Sequence, residues 1–226
     1  MFVPMTVVRK ARHRDRDKDK ESRTRLDVDE RRAQLLALGV EHFGRMAYDD
    51  VSIDAIAQAA GISKGLLYHY FPTKKAFYAA TVREAAEALL ARTDTAEDLP
   101  PLERLGEGLD AYLDFVREHA AAYATLMKSG VGVDPDIAAI VDQTRERFIA
   151  RLTDGITRIN VTRTPLLEIA LRGWVGLCEH ASLAWTEGLA KEPRRAPPQA
   201  QVRMLLANAL MALISEGNSI EGADVA

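Results

Sequence analysis

Between Ser52 and Lys74 the chain is punctuated so closely that only short helices fit. Three cap residues (Ser52, Ser63 and Thr73), a stop at Gly61 and a break at Phe71-Pro72 follow one another in quick succession. Serine and threonine at an N-cap accept a hydrogen bond from a first-turn N–H that has no helical partner. Glycine just past a helix end takes up left-handed backbone at no steric cost, and the residue before proline is pushed out of helical geometry. The stretch therefore predicts a helix after Ser52 with Ile53, Ile56, Ala57 and Ala60 inward, a tight turn at Gly61, and a second helix from Ser63 to about Tyr70. Two short helices joined by a glycine turn make a helix-turn-helix.

Everything around this unit also reads as helix. Asp27 with Glu30 resembles a capping box, opening a helix to about Met46 whose apolar residues Leu35, Leu36, Val40 and Phe43 keep helical spacing. Thr73 caps a helix from Lys74 to about Ala91. Prolines then mark the starts of longer ones: Leu102 to Glu118 after Pro100-Pro101, Asp134-Pro135 to about Ile159, and Thr164-Pro165 to about Ala190. A shorter stretch runs from Ala121 to Lys128, and a last helix from about Gln199 to Ser215 precedes a polar tail. The expectation is an all-α chain of roughly nine helices. It divides into a disordered basic arm (1–26), a three-helix head that holds the helix-turn-helix (27–75), a long helical body (76–216) and a disordered tail (217–226).

Composition narrows the classes. A hydrophobic fraction of 47% and a charged fraction of 28% suit a globular chain, and no apolar run approaches the ~20 residues of a membrane-spanning helix. "MFVPMTVV" is too short for a signal-peptide core, and the lone Cys178 cannot form an internal disulfide, so the expected compartment is the cytoplasm. Net charge is −3, unevenly spread. Arg9 to Arg25 holds nine basic and four acidic residues, net +5, which leaves 21 basic and 29 acidic residues, net −8, elsewhere. Such an arm is either a solvated leader or an electrostatic contact to a polyanion.

The second helix of a helix-turn-helix enters the DNA major groove with its N-terminal residues against base edges. Here these are Ser63, Lys64 and Gly65: Lys64 can donate to guanine acceptors, and Gly65 lets the helix sit close. Tyr68, His69, Tyr70 and Lys74, with the cap Ser52, then supply donors suited to phosphates. Residues 33 to 82, with "SIDAIAQAAGISKGLLYHYFPTKKAFY" at their centre, resemble the DNA-binding domain of the TetR/AcrR family of bacterial one-component repressors. The run Gly61, Ser63, Gly65, Leu67, Tyr68, Phe71 and Lys74 carries the resemblance; Ala47 departs from it, standing where the family usually has glycine.

The resemblance implies a double-stranded DNA operator, a C-terminal domain that takes a small-molecule inducer, and a homodimer formed by the last two long helices. Those two helices are apolar around most of their circumference: between Val202 and Ile214 only Arg203 and Asn208 are clearly polar. On helices that the resemblance places around the inducer lie Tyr112, Phe115, Tyr123, Met127, Phe148 and Trp174. No charge among them stands out as a counter-ion, so the expected inducer is apolar or amphipathic. Catalysis has no constellation to rest on, since Cys178 and His180 lie two apart on a helix and point to different sides. No metal or cofactor motif is present, which leaves a sequence-indifferent architectural DNA binder as the alternative.

Overall fold

A computed structural model describes residues 28–46, 48–96, 98–130, 134–159 and 161–223, with backbone alone for residues 129–130 and 217–223. The basic arm, the Asp27 cap and Ala47 lie outside the described residues. Nine α-helices follow one another among them: α1 (28–45), α2 (Ile53–Ala59), α3 (Lys64–Tyr70), α4 (Lys74–Arg92), α5 (Pro101–Glu118), α6 (Ala120–Thr125), α7 (Pro135–Arg158), α8 (Pro165–Lys191) and α9 (Gln199–Ala223). A 3-10 turn, Tyr48–Asp50, lies between α1 and α2, and a π turn, Leu126–Gly130, extends α6. The last helix thus runs on past Ser215 to Ala223, where a polar tail was expected.

The caps work as their residue types require. Ser52 Oγ accepts from Ala55 N at 3.2 Å, Ser63 Oγ from Leu66 N at 3.2 Å, and Thr73 Oγ1 from Ala76 N at 3.0 Å. Gly61 has φ +67°. That left-handed step lets Ile62 N reach Ala57 O and Gly61 N reach Gln58 O, which closes the end of α2 on its own carbonyls. The core of the head gathers α1, α2, α3 and the start of α4, with Leu35, Ile56, Leu67 and Phe77 fully buried. A Cβ at Gly39 would stand 2.5 Å from Thr81 Oγ1 and 2.9 Å from Phe77, so glycine is what allows α1 to press on α4.

Phe77 belongs to the head's core and Ala80 packs against it. The head's packing therefore continues into α4, past Lys75. The body's core gathers Leu109 and Leu113 of α5, Ile149 and Ile156 of α7, Leu171 and Trp174 of α8, and Leu206 and Leu210 of α9. Its two buried indoles each donate to a backbone carbonyl, Trp174 Nε1 to Leu206 O at 2.8 Å and Trp185 Nε1 to Pro197 O at 2.9 Å. A buried Trp N–H normally finds such a partner. These bonds pin α8 to α9 and to the loop before it.

Candidate nucleic-acid interface and ligand cavity

The outer face of α3 is exposed at Lys64, Gly65, Leu66 and His69. Lys64 Nζ donates to Asp54 Oδ2 of α2 at 2.8 Å, and that carboxylate raises the pKa of the ammonium. Gly65 faces open space: a Cβ there would meet only Ser63 Oγ, at 3.9 Å. Tyr68 and Tyr70 are half-buried against the head's core, with His69 edge-on to Tyr70 at 6.1 Å. Lys74 is turned inward over the Tyr48 ring, 4.8 Å from its centroid, and donates to Asp49 O at 3.0 Å. Leu66, 40% exposed, is absent from the residues singled out by sequence. The signal for it was available, because it follows Lys64 and Gly65 while Leu67 takes the buried position.

Behind the head, the helices enclose a cavity of about 830 Å³. All six residues named from the sequence, Tyr112, Phe115, Tyr123, Met127, Phe148 and Trp174, border it. Its α7 wall runs from Ile140 to Arg158 and its α5 wall from Leu102 to Phe115, spans of about 27 and 20 Å at 1.5 Å per residue. One end is closed by Val40, Phe43 and Gly44 of the head together with Tyr78 of α4. At the other, Leu102 and Ile159 are exposed beside Asp94, Arg104, Arg151 and Arg158, so the cavity opens there.

Charges do stand in this wall, contrary to the sequence expectation, because residues far apart in the chain converge on it. Arg145 Nε and Nη2 each donate to one carboxylate oxygen of Glu179 at 2.8 Å, and Nη1 donates to Asp142 at 2.9 Å. This group is compensated within the protein. At the open end Arg151 Nη1 donates to Leu90 O at 2.8 Å and Arg104 Nε to Thr95 Oγ1 at 3.4 Å. Deep in the cavity Tyr112 OH lies 2.9 Å from both Tyr123 OH and Ser182 Oγ, and Ser182 Oγ donates to Glu179 O at 3.0 Å. Burial pushes the Tyr123 hydroxyl up to about 12 and the Cys178 thiol upward as well, so both stay neutral. Among the described residues no group of His, Cys, Asp and Glu could hold a metal ion, and no helix is long and apolar enough to cross a membrane.

A helix-turn-helix head joined through one shared helix to an all-helical body with an internal chamber is the build of a one-component transcriptional regulator. The comparisons place the chain more closely. Residues 35–81 match the family model "Bacterial regulatory proteins, tetR family", and residues 101–213 match "Tetracyclin repressor-like, C-terminal domain". The crystal structure of a TetR-family regulator from Streptomyces coelicolor is 36% identical, with 86% of each chain covered and a TM-score of 0.72. The chain belongs to the TetR family of transcriptional regulators.

Among curated relatives, the transcriptional activator FasR of Mycolicibacterium smegmatis is 30% identical over 132 residues, 58% of this chain and 60% of that one. The regulator RutR of Escherichia coli is 29% identical over 96 residues, 42% of this chain and 45% of that one. Each match spans less than two thirds of the relative. A crystal structure of the regulator FadR from Bacillus subtilis, in complex with stearoyl-CoA, shares the fold at 17% identity and a TM-score of 0.62, with 81% of this chain and 97% of that one covered.

Proposed function

We propose that the protein is a ligand-responsive repressor: a homodimer that binds a palindromic operator and leaves it when an amphipathic molecule fills the cavity. The observation that carries this reading is the cavity's closed end, where Phe43 of the head and Tyr78 of the shared helix form the wall. A molecule there touches the element that positions α3. A ligand shifts a conformational equilibrium only through such differential contacts. Further ties meet at the same joint: Lys75 pairs with Asp134 at 3.2 Å and Asp136 at 3.0 Å, and a Cβ on Gly44 would stand 3.2 Å from Ala122.

The cavity's volume and mostly apolar lining suit an alkyl chain, its polar group beside Arg104 and Arg151. The stearoyl-CoA held by FadR supports the same class of ligand. Dimerisation is supported by one apolar surface. Ile169 (68% exposed) and Leu177 of α8 and Met204 and Leu205 of α9 stand in solvent, and nothing within 4 Å would meet a Cβ on Gly173 or Gly176. Two copies of this surface on a two-fold axis would form a four-helix contact. On the head, Ser52, Ser63, Lys64, Gly65, Tyr68, His69, Tyr70 and Lys74 are the proposed DNA contacts, and Leu66 is suited to a thymine methyl.

Footprinting of the full chain upstream of its own gene and its neighbours tests this reading. The expected result is a symmetric footprint with half-site centres ~34 to 36 Å apart or a multiple of that, preferred ~10³-fold or more over random DNA and lost on adding a long-chain acyl-CoA. Equal binding to random DNA would favour the architectural alternative. An asymmetric single half-site would exclude the symmetric dimer.

A further inference from the structure

Asp54 lies on the face of the head that must approach a polyanion, two residues after the Ser52 cap and 68% exposed in its side chain. A carboxylate there opposes phosphate contact, so its presence calls for a physical reason. The reason available is Lys64, the first residue of α3, whose ammonium donates to Asp54 Oδ2 across the turn at 2.8 Å. Exposed ion pairs of this kind contribute little to folding. What the pair does constrain is where a long, flexible side chain points.

We infer that Asp54 is a positioning residue for sequence discrimination: it holds Lys64 over the N-terminus of α3, aimed at base edges and away from the nearest phosphates. The inference rests on the reading of α3 as the DNA-contacting helix. An ammonium has three donors. One is taken by Asp54, which leaves two for the N7 and O6 acceptors of a guanine. Without the carboxylate the lysine can swing to a phosphate, which binds any sequence. Gly65 leaves the space beside Lys64 empty and Ser63 keeps its Oγ on Leu66 N, so no other side chain at the start of the helix restrains the lysine. The residue therefore acts through discrimination more than through affinity.

The test uses the full chain and an operator selected from random duplexes by the wild-type protein. Asp54→Asn should raise affinity for random DNA about 5- to 10-fold, with operator affinity changed less than about 3-fold, and should steepen the salt dependence on random DNA by about one phosphate. Asp54→Glu, which keeps the charge, should retain most of the discrimination. In a Lys64→Ala background Asp54→Asn should no longer change the ratio. If Asp54→Asn shifts operator and random DNA by the same factor, or acts equally without Lys64, the carboxylate merely repels phosphates and the positioning role is wrong. A wild-type chain that selects no sequence would overturn the DNA-reading assignment and this inference with it. Selection retained unchanged by Asp54→Asn overturns this inference alone.

Discussion

The head and the body treat the same raw material, amphipathic helices, in opposite ways. In the head, Leu35, Ile56, Leu67 and Phe77 close completely on one another, and aromatic rings meet at short range, Phe43 with Tyr78 at 4.8 Å and Phe71 with Phe77 at 4.8 Å. In the body, longer helices stop short of filling the space between them and leave about 830 Å³. Interiors normally pack to the density of organic crystals, so an unfilled chamber forgoes contacts that a bound molecule can restore. A closed core keeps one shape whatever is bound, whereas an open one has a shape that depends on its occupant. The two meet at Phe43 and Tyr78, which serve the head's packing and the chamber's wall together.

The largest expected effect separates the two packing regimes with one kind of substitution. Phe77→Ala should destabilise the protein by ~3 to 5 kcal/mol, as a fully enclosed phenylalanine does, and abolish DNA binding. Phe148→Ala, at the half-buried cavity wall, should cost under ~1.5 kcal/mol because the side chain already borders empty space, yet weaken ligand binding about tenfold or more. Urea denaturation and ligand titration measure both. Equal destabilisation would show that the chamber is packed as tightly as the head.

Within the head, Lys64→Ala should cost ~1 to 3 kcal/mol on the operator and relax preference at one base position. Lys74→Ala should weaken all sequences alike and lower the salt slope by about one. Because Lys74 is folded back over Tyr48 and bonded to Asp49 O, it must release both to reach a phosphate. A Lys74 variant with an unchanged salt slope would mean that it stays a strut inside the head.

The body's hydroxyl cluster gives the comparison a pH signature. Tyr123 has its pKa raised from 10.0 to about 12 by burial, so folding favours its neutral form. That contribution is complete below pH 10 and is lost as pH rises from 10 to about 12, on the order of 1 kcal/mol at pH 11. Denaturation midpoints at pH 8 and pH 11 measure it, and Tyr123→Phe should flatten part of the fall. The smallest effect belongs to the joint. Lys75→Ala removes exposed ion pairs to Asp134 and Asp136 and should change stability by less than ~1 kcal/mol, while altering how far ligand lowers operator affinity. A variant with unaltered ligand response would remove Lys75 from the coupling between head and body.

Helix starts and stops were legible in the chain because each rests on groups within a few residues of one another. Ser63 bonds Leu66 N, Thr73 bonds Ala76 N, and Gly61 turns where Ile62 returns to Ala57. Proline at the first position of α5, α7 and α8 acts through its own ring. The cavity-lining aromatics were placed through the family pattern, since helical spacing alone does not separate a wall from a core. Distant pairings stayed out of reach. Lys64 with Asp54 depends on how α2 and α3 are set together, and Lys74 with Tyr48 and Asp49 on how α4 meets the 3-10 turn before α2, while Arg145 with Glu179 joins α7 to α8 across 34 positions. The helix beyond Ser215 runs through Gly217, Asn218 and Gly222, residues that argue locally for a stop, and the π turn at Leu126–Gly130 has no local mark of its wider pitch before Gly130. Local hydrogen bonds and backbone sterics settle which residues are helical, whereas a chamber is the space left between helices, and its size and charge exist only once they have packed.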